Sequence, residues 1–460
     1  MARGDDMIRK ILVGLLGLVV LAVIGLAAYL FASPPELLRV ADGYAAKIIC
    51  SNVFLANRDA NAVLADDVQA PGNPILKTIL ATVDRTNGVV TTRILGLFAT
   101  GTAAYRPGLG CADVPDGDVA KAKAVAIDTS TITPLPADAI WPAGEAVGAA
   151  NDKVQALLGD AGLTGPGMRA VVVVKGGAIV AETYAPGFDA KTPLIGWSMS
   201  KTVNAILAGT VVGAGKLALT DTGLFPQWAN DDRKTISFAN MAAMTPGLDY
   251  VEDYGDVTDT TRMLYLEPDM AGFVAAKPLK DKPGTVFNYS TGTAVLISRL
   301  WMDRIGDAKT ALSYPRTALF APLGMNSAVF EADEAGTIGG GSYLYATGRD
   351  WARIGQFLLQ DGVWNGQRLL PDGFVALMHT SNGLDGGYSQ MQSWVMGPHE
   401  SDDHVDAGLP KDAFWLRGHD GQTVTVIPSK GLVVVRMGLT PWALGYWPEK
   451  LVKAVVDALG

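Results

Sequence analysis

The stretch Gly196–Thr210, GWSMSKTVNAILAGT, sets Ser198 and Lys201 three residues apart at the mouth of an apolar run. Residues i and i+3 share one face of a helix, so the amine of Lys201 can take the proton of the Ser198 hydroxyl and leave a nucleophile. Ser200 offers a second hydroxyl, but only Ser198 stands one turn before the lysine. The plain alternative is that serine caps the helix and lysine rides on its solvated face. Two later stretches carry groups that would complete a site. In GTVFNYSTGTAVLIS, Tyr289 precedes Ser290-Thr291-Gly292; in RGHDGQTVTVIPSKGLVVV, His419-Asp420-Gly421 leads into a strand. Taken one at a time, these read equally well as a packed aromatic and an ordinary turn.

Composition narrows the chemistry. The net charge of −9, with no basic stripe, argues against nucleic acid as a partner. His379, His399, His404 and His419 form no H-E-x-x-H pattern, and Cys50 and Cys111 lack metal-ligand spacing, so a zinc hydrolase is not expected. With 460 residues, about half of them apolar, the chain can build a sizeable core and two or three domains.

The elements that must position these residues are legible in outline. From Ile11 to Phe31 the chain carries no charge and would span about 31 Å as a helix, close to the thickness of a bilayer's hydrocarbon core. Arg3, Arg9 and Lys10 precede it, which points to a cytoplasmic N-terminus, with tip and transmembrane anchor together filling 1–33, and an exported body. A cleaved leader, cut near FASPP, is the alternative. In an exported body Cys50 and Cys111 are the single pair available for an intramolecular disulfide. Residues 34–145 carry no motif; VVTTRILGLFA is strand-like and YRPGLGCADVPDGD turn-rich. The main domain, 146–460, opens with two β-rich runs flanking Lys175-Gly176-Gly177, a hairpin signal. Val203, Ile206, Leu207 and Thr210 line one side of a helix, and Thr347 with Asp350 resembles a capping box for another that ends at Gly362. The chain closes with two strands and a terminal helix. Strands at both ends with helices between predict an α/β sandwich: one antiparallel sheet flanked by helices, with a helical lobe inserted.

Ser198-Met199-Ser200-Lys201, Tyr289-Ser290-Thr291-Gly292 and His419-Asp420-Gly421-Gln422, in that order, resemble the serine β-lactamase and penicillin-binding-protein superfamily on its class C and DD-peptidase side. Within it, the chain is most similar to the 6-aminohexanoate-dimer hydrolases, over roughly residues 150–460. The stretches MTPGLDYVEDYGD and GGGSYLYATGRDWARIGQFLLQDGVWNGQRLLP add to the likeness. The resemblance implies a β-lactamase/transpeptidase-like fold and a cofactor-free serine hydrolase of small amides or esters. Ser198 would be the acylated nucleophile, Lys201 and Tyr289 its proton-transfer partners, and the backbone N–H groups of Ser198 and Gln422, the latter on the edge strand, an oxyanion hole. An ordinary amine and phenol both titrate near about 10, so sharing one proton fewer between them would make a base. The resemblance also matches Tyr254 to a substrate-contacting tyrosine, while Tyr265 stands where the relatives use an acid for the substrate's amino group. Two departures bear on substrate: Thr291 replaces an asparagine of the β-lactamase pattern, and His419 replaces the lysine that opens the third motif. The rival readings are a DD-peptidase or β-lactamase, and a catalytically silent envelope-binding protein on the same fold.

Overall fold

The computed structural model describes residues 2–70, 73–129, 133–384, 387–399 and 408–460; His404 lies outside the described residues. Its centre is an antiparallel sheet of five strands, in the order Phe414–Gly418, Gln422–Ile427, Leu432–Gly438, Met168–Lys175 and Ala178–Tyr184. The sheet is buried on both faces, which explains why Val171 to Val174 are apolar without alternation. Val172 and Val174 join Val424, Val433 and Val435 beneath the helix Gly348–Leu359, whereas Val171 and Val173 join Trp415 and Val434 against the terminal helix Pro448–Leu459. The expected hairpin is present: Lys175 pairs with Ala178, and Gly176 and Gly177 take φ of +58° and +84°, as a two-residue turn of that type requires. Thr347 caps its helix through the Asp350 N–H at 3.2 Å. The reciprocal half of that capping box is missing, because the Asp350 carboxylate is held by Ser327 and Arg353.

Between Tyr184 and Phe414 the chain builds the helical lobe, in which helix Met199–Gly213 packs on helix Thr291–Ile305. Buried Asn204 braces the two helices. Its amide donates to the carbonyl of Ala294 at 2.8 Å, and its oxygen accepts from Ser298 at 2.9 Å and Trp301 at 2.8 Å.

The motif-free N-terminal region is an ordered unit. Helix Glu36–Leu55 lies on an antiparallel sheet of Ile79–Asp84, Val89–Ile94, Phe98–Arg106 and Gly110–Asp113. The helix is buried almost continuously from Val40 to Val53, because the sheet covers one side and the hydrolase body the other. At Gly101 the strand passes so close that a Cβ would stand 2.2 Å from the Asp42 carbonyl, so only glycine fits. Cys50, on the helix, is disulfide-bonded to Cys111 on the last strand, with Cα atoms 6.1 Å apart. One turn before Cys50, Lys47 forms a buried ion pair with Glu331 of the body, whose other oxygen accepts from Ser51 at 2.8 Å and the Cys111 N–H at 2.6 Å. Side chains of both parts share one hydrophobic core. Ahead of this unit, Asp6–Ala32 is a single apolar helix, long enough to cross a membrane, with none of it buried.

Alkylation of the denatured, unreduced protein is therefore expected to modify no cysteine, and two after reduction. Reduction should lower stability by roughly 4 kcal/mol, because the bridge spans 61 residues. Chemical denaturation with and without reductant measures the difference.

Candidate active site

The helix that carries Ser198 and Lys201 begins under tension. Trp197, a bulky residue, is held at φ +47°, a conformation such residues rarely adopt. Next to it, Gly196 donates its N–H to the Leu344 carbonyl at 2.9 Å, and a Cβ there would meet the Trp351 ring at 2.1 Å. This turn delivers Ser198 to the helix start, half-buried, with a hydroxyl that caps nothing. The helix-cap alternative for Ser198 is thus not realised. Ser200 has the structural role instead: it is fully buried and its Oγ accepts the Leu344 N–H at 3.1 Å.

Lys201 is 1% exposed, and its Nζ reaches three acceptors, each at 2.9 Å: Ser198 Oγ, Thr291 Oγ1 and the Gly341 carbonyl. Burial pulls its ammonium down to about 8, against the opposing pull of the Glu252 carboxylate. Tyr289 moves the other way. Burial first, and then the negative charge of Glu252, raise its phenol, while a hydrogen bond with Ser198 and the charge of Arg417 lower it. The two groups expected to share a proton therefore divide the work. The amine gives up its proton first, and the phenol keeps its own. Tyr289 presents its ring to Lys201, with Nζ 4.8 Å from the centroid, and packs between Tyr388 and Trp394. Its link to the amine runs through the Ser198 hydroxyl.

In the sequence Glu252 is one of four carboxylates in the stretch DYVEDYGD, Asp249 to Asp256, which reads either as a solvated loop or as the lining of a pocket for a cationic or amide-bearing substrate. In the fold it turns inward, to Thr291 Oγ1 at 2.6 Å, the Thr291 N–H at 2.8 Å, Thr260 at 2.8 Å and Tyr254 at 3.0 Å. Thr291, the residue that replaces the asparagine, accepts from Lys201 and donates to Glu252, and so couples the charge to the amine. A separation of 39 residues hides that coupling from any local pattern. Tyr254 lies beside it, 3.3 Å from Thr291 Oγ1.

The third motif is rearranged relative to expectation. His419, Asp420 and Gly421 form a tight turn, with Asp420 at φ +56°. The His419 ring lies against Tyr254 at 5.4 Å and Trp197 at 5.9 Å, so it does join the site. Gly421 supports the turn from behind, its carbonyl accepting from buried Arg436 at 3.1 Å. Gln422 is not on the edge strand: Phe414–Gly418 is the edge, and Gln422 begins the second strand. Its side-chain oxygen accepts the Gly438 N–H at 2.8 Å and its amide donates to the Gly438 carbonyl, so this residue ties the sheet together. The reason is the short turn, which closes the hairpin at Gly418↔Gln422. Tyr265 is buried against Tyr44.

The rate of covalent modification at Ser198 should rise about tenfold per pH unit below about 8 and level off above it, following the neutral amine of Lys201. Glu252 favours the ammonium, so Glu252→Gln should move that limb to lower pH; pH–rate profiles of the two proteins check the direction.

Comparison with known proteins identifies the fold that carries these residues. The family model described as Beta-lactamase matches residues 152–438. The 6-aminohexanoate-dimer hydrolase of Paenarthrobacter ureafaciens is 24% identical over 304 residues, 59% of this chain and 72% of that enzyme. Among solved structures, a penicillin-binding-protein homologue from Caulobacter crescentus superposes with a TM-score of 0.51 at 15% identity, over 68% of this chain and 99% of its own. The penicillin-binding protein from Bacillus halodurans gives 0.50 at 16% identity, over 67% and 100%. The sheet and the inserted helical lobe are thus those of a known architecture, and the chain belongs to the Beta-lactamase family of serine hydrolases.

Proposed function

We propose that this protein is an exported, membrane-anchored hydrolase that cleaves small neutral esters or amides through an acyl-enzyme on Ser198. The observation that carries the reading is the cradle of Lys201. A buried amine, lowered to about 8, stands 2.9 Å from a hydroxyl that no structural role occupies. As a neutral amine, Lys201 keeps N–H bonds to Thr291 and Gly341 and turns its lone pair to the Ser198 proton. The Ser198 oxygen attacks the carbonyl, and the helix start, with the Ser198 N–H, favours the negative charge that develops. Tyr289, a phenol that holds its proton, gives it to the leaving group through the site it shares with Ser198. Water then releases the acyl group by the same route in reverse. The apolar helix supports an anchor in the cytoplasmic membrane, and the Cys50–Cys111 bridge supports an oxidising, extracytoplasmic side for the body.

The choice of neutral substrates rests on His419. A lysine would set a permanent cation beside the site for a substrate carboxylate; an imidazole supplies a ring N–H without one. The curated relative is named for the 6-aminohexanoate dimer, but Tyr265, where the family resemblance implies an acid for the substrate's amino group, is buried against Tyr44 in this chain. Nylon-type oligomers are therefore not the substrate proposed.

A fluorophosphonate probe should label the wild type and Ser200→Ala but not Ser198→Ala, with the Ser198→Ala melting temperature nearly unchanged. Absence of label on the wild type would favour the silent binding protein. For substrate charge, His419→Lys should shift the ratio of kcat/KM for a penicillin over a neutral ester upward by about fivefold, the value of exchanging a neutral for a charge-assisted hydrogen bond. A wild type that already prefers the penicillin would return the protein to the β-lactamase or DD-peptidase reading.

A further inference from the structure

A cleft of about 370 Å³ lies between the N-terminal unit and the hydrolase body, within the size range of small-molecule sites. One wall comes from outside the segment that the family model matches: Leu37, Val40 and Ala41 of helix Glu36–Leu55, with Ile75 and Leu76 of the following turn. The opposite wall is Trp197, Tyr254 and His419. Trp197 immediately precedes the nucleophile, and Tyr254 is 3.3 Å from the Thr291 hydroxyl that Lys201 also touches at 2.9 Å. The cleft is therefore lined by the immediate neighbours of Ser198 and of the Lys201 cradle.

We propose that this cleft is a substrate subsite that takes the unbranched aliphatic arm of an ester or amide whose carbonyl lies at Ser198. The wall from the N-terminal unit holds no charged side chain. The carboxylates of Asp256 and Asp420 stand on the hydrolase side, where Asp256 accepts the Val257 N–H at 2.7 Å and Asp420 lies 3.4 Å from His419. A cationic arm reaching the far wall would leave both and meet only the neutral Tyr44 and Asn73; an aliphatic arm would bury its surface there against Leu37, Val40, Ala41, Ile75 and Leu76. Leu37, 38% exposed, and Trp442, 70% exposed, continue that apolar surface to the rim. The N-terminal unit is thus part of substrate recognition. Its fixed attachment through the Lys47–Glu331 pair and the shared core makes the wall rigid.

This subsite rests on the acyl-enzyme reading of Ser198, and the test separates the two. With the full-length protein in nanodiscs, kcat/KM is measured for p-nitrophenyl acetate, butyrate, hexanoate and octanoate. Each methylene buried in the cleft should raise the value by about fourfold in the wild type. Ile75→Trp, which fills the cleft, should flatten that slope, with the fold checked by thermal melting. Equal slopes in the two proteins would overturn the subsite and leave the hydrolase standing. Binding is read independently in Ser198→Ala from the change in tryptophan fluorescence on adding octanamide, since Trp197 and Trp442 line the cleft. Adding Leu37→Asp at the half-exposed rim should weaken that binding at least tenfold; unchanged binding would overturn the subsite. If no ester is turned over but octanamide binds with this dependence on Leu37, the hydrolase reading falls and the subsite stands.

Discussion

An ammonium buried to 1% exposure is costly unless each N–H finds an acceptor, and the architecture of the helical lobe follows from meeting that demand for Lys201. Its three acceptors come from three distant segments: its own helix, the start of helix Thr291–Ile305, and the glycine-rich run at Gly341. They converge because Asn204 braces the two helices, and because Gly341 approaches Thr291 so closely that a Cβ would stand 2.6 Å from its methyl group. The same burial that demands partners lowers the amine to about 8, which makes it a base near neutral pH. Stability and reactivity here have one cause.

Glu252 sets how far that lowering goes. It acts through Thr291 and also holds the hydroxyl of Tyr254, a residue that lines the cleft. Thr291 is therefore a hydroxyl relay that connects the lysine to a carboxylate.

The N-terminal unit obeys a similar rule. Lys47 and Glu331 are both buried, and their pairing is sound because Ser51 and the Cys111 N–H satisfy what the ion pair leaves over. Since Cys111 is also in the disulfide, one cluster joins the helix, its sheet and the hydrolase body. A segment with no motif of its own thereby becomes one wall of the cleft it shares with the body.

Local and periodic features were legible without the fold: the apolar N-terminal helix, the Gly176-Gly177 hairpin, the buried valine strands, and Ser198 placed one turn before Lys201. These depend on neighbours within a few residues, or on a period that a sheet or helix imposes directly. The single cysteine pair was legible by count. What the tertiary structure alone decided was which polar groups lie inside. Glu252 and the other carboxylates of its loop look alike in sequence, yet only the fold brings Thr291 and Thr260 to Glu252. Gln422 looked like an edge residue until the short turn at His419 placed Phe414–Gly418 outside it. Burial of a charge, and the partners that permit it, are set by chain segments tens to hundreds of residues apart; the residue types were given by sequence, but their electrostatics arose only when packing removed the water.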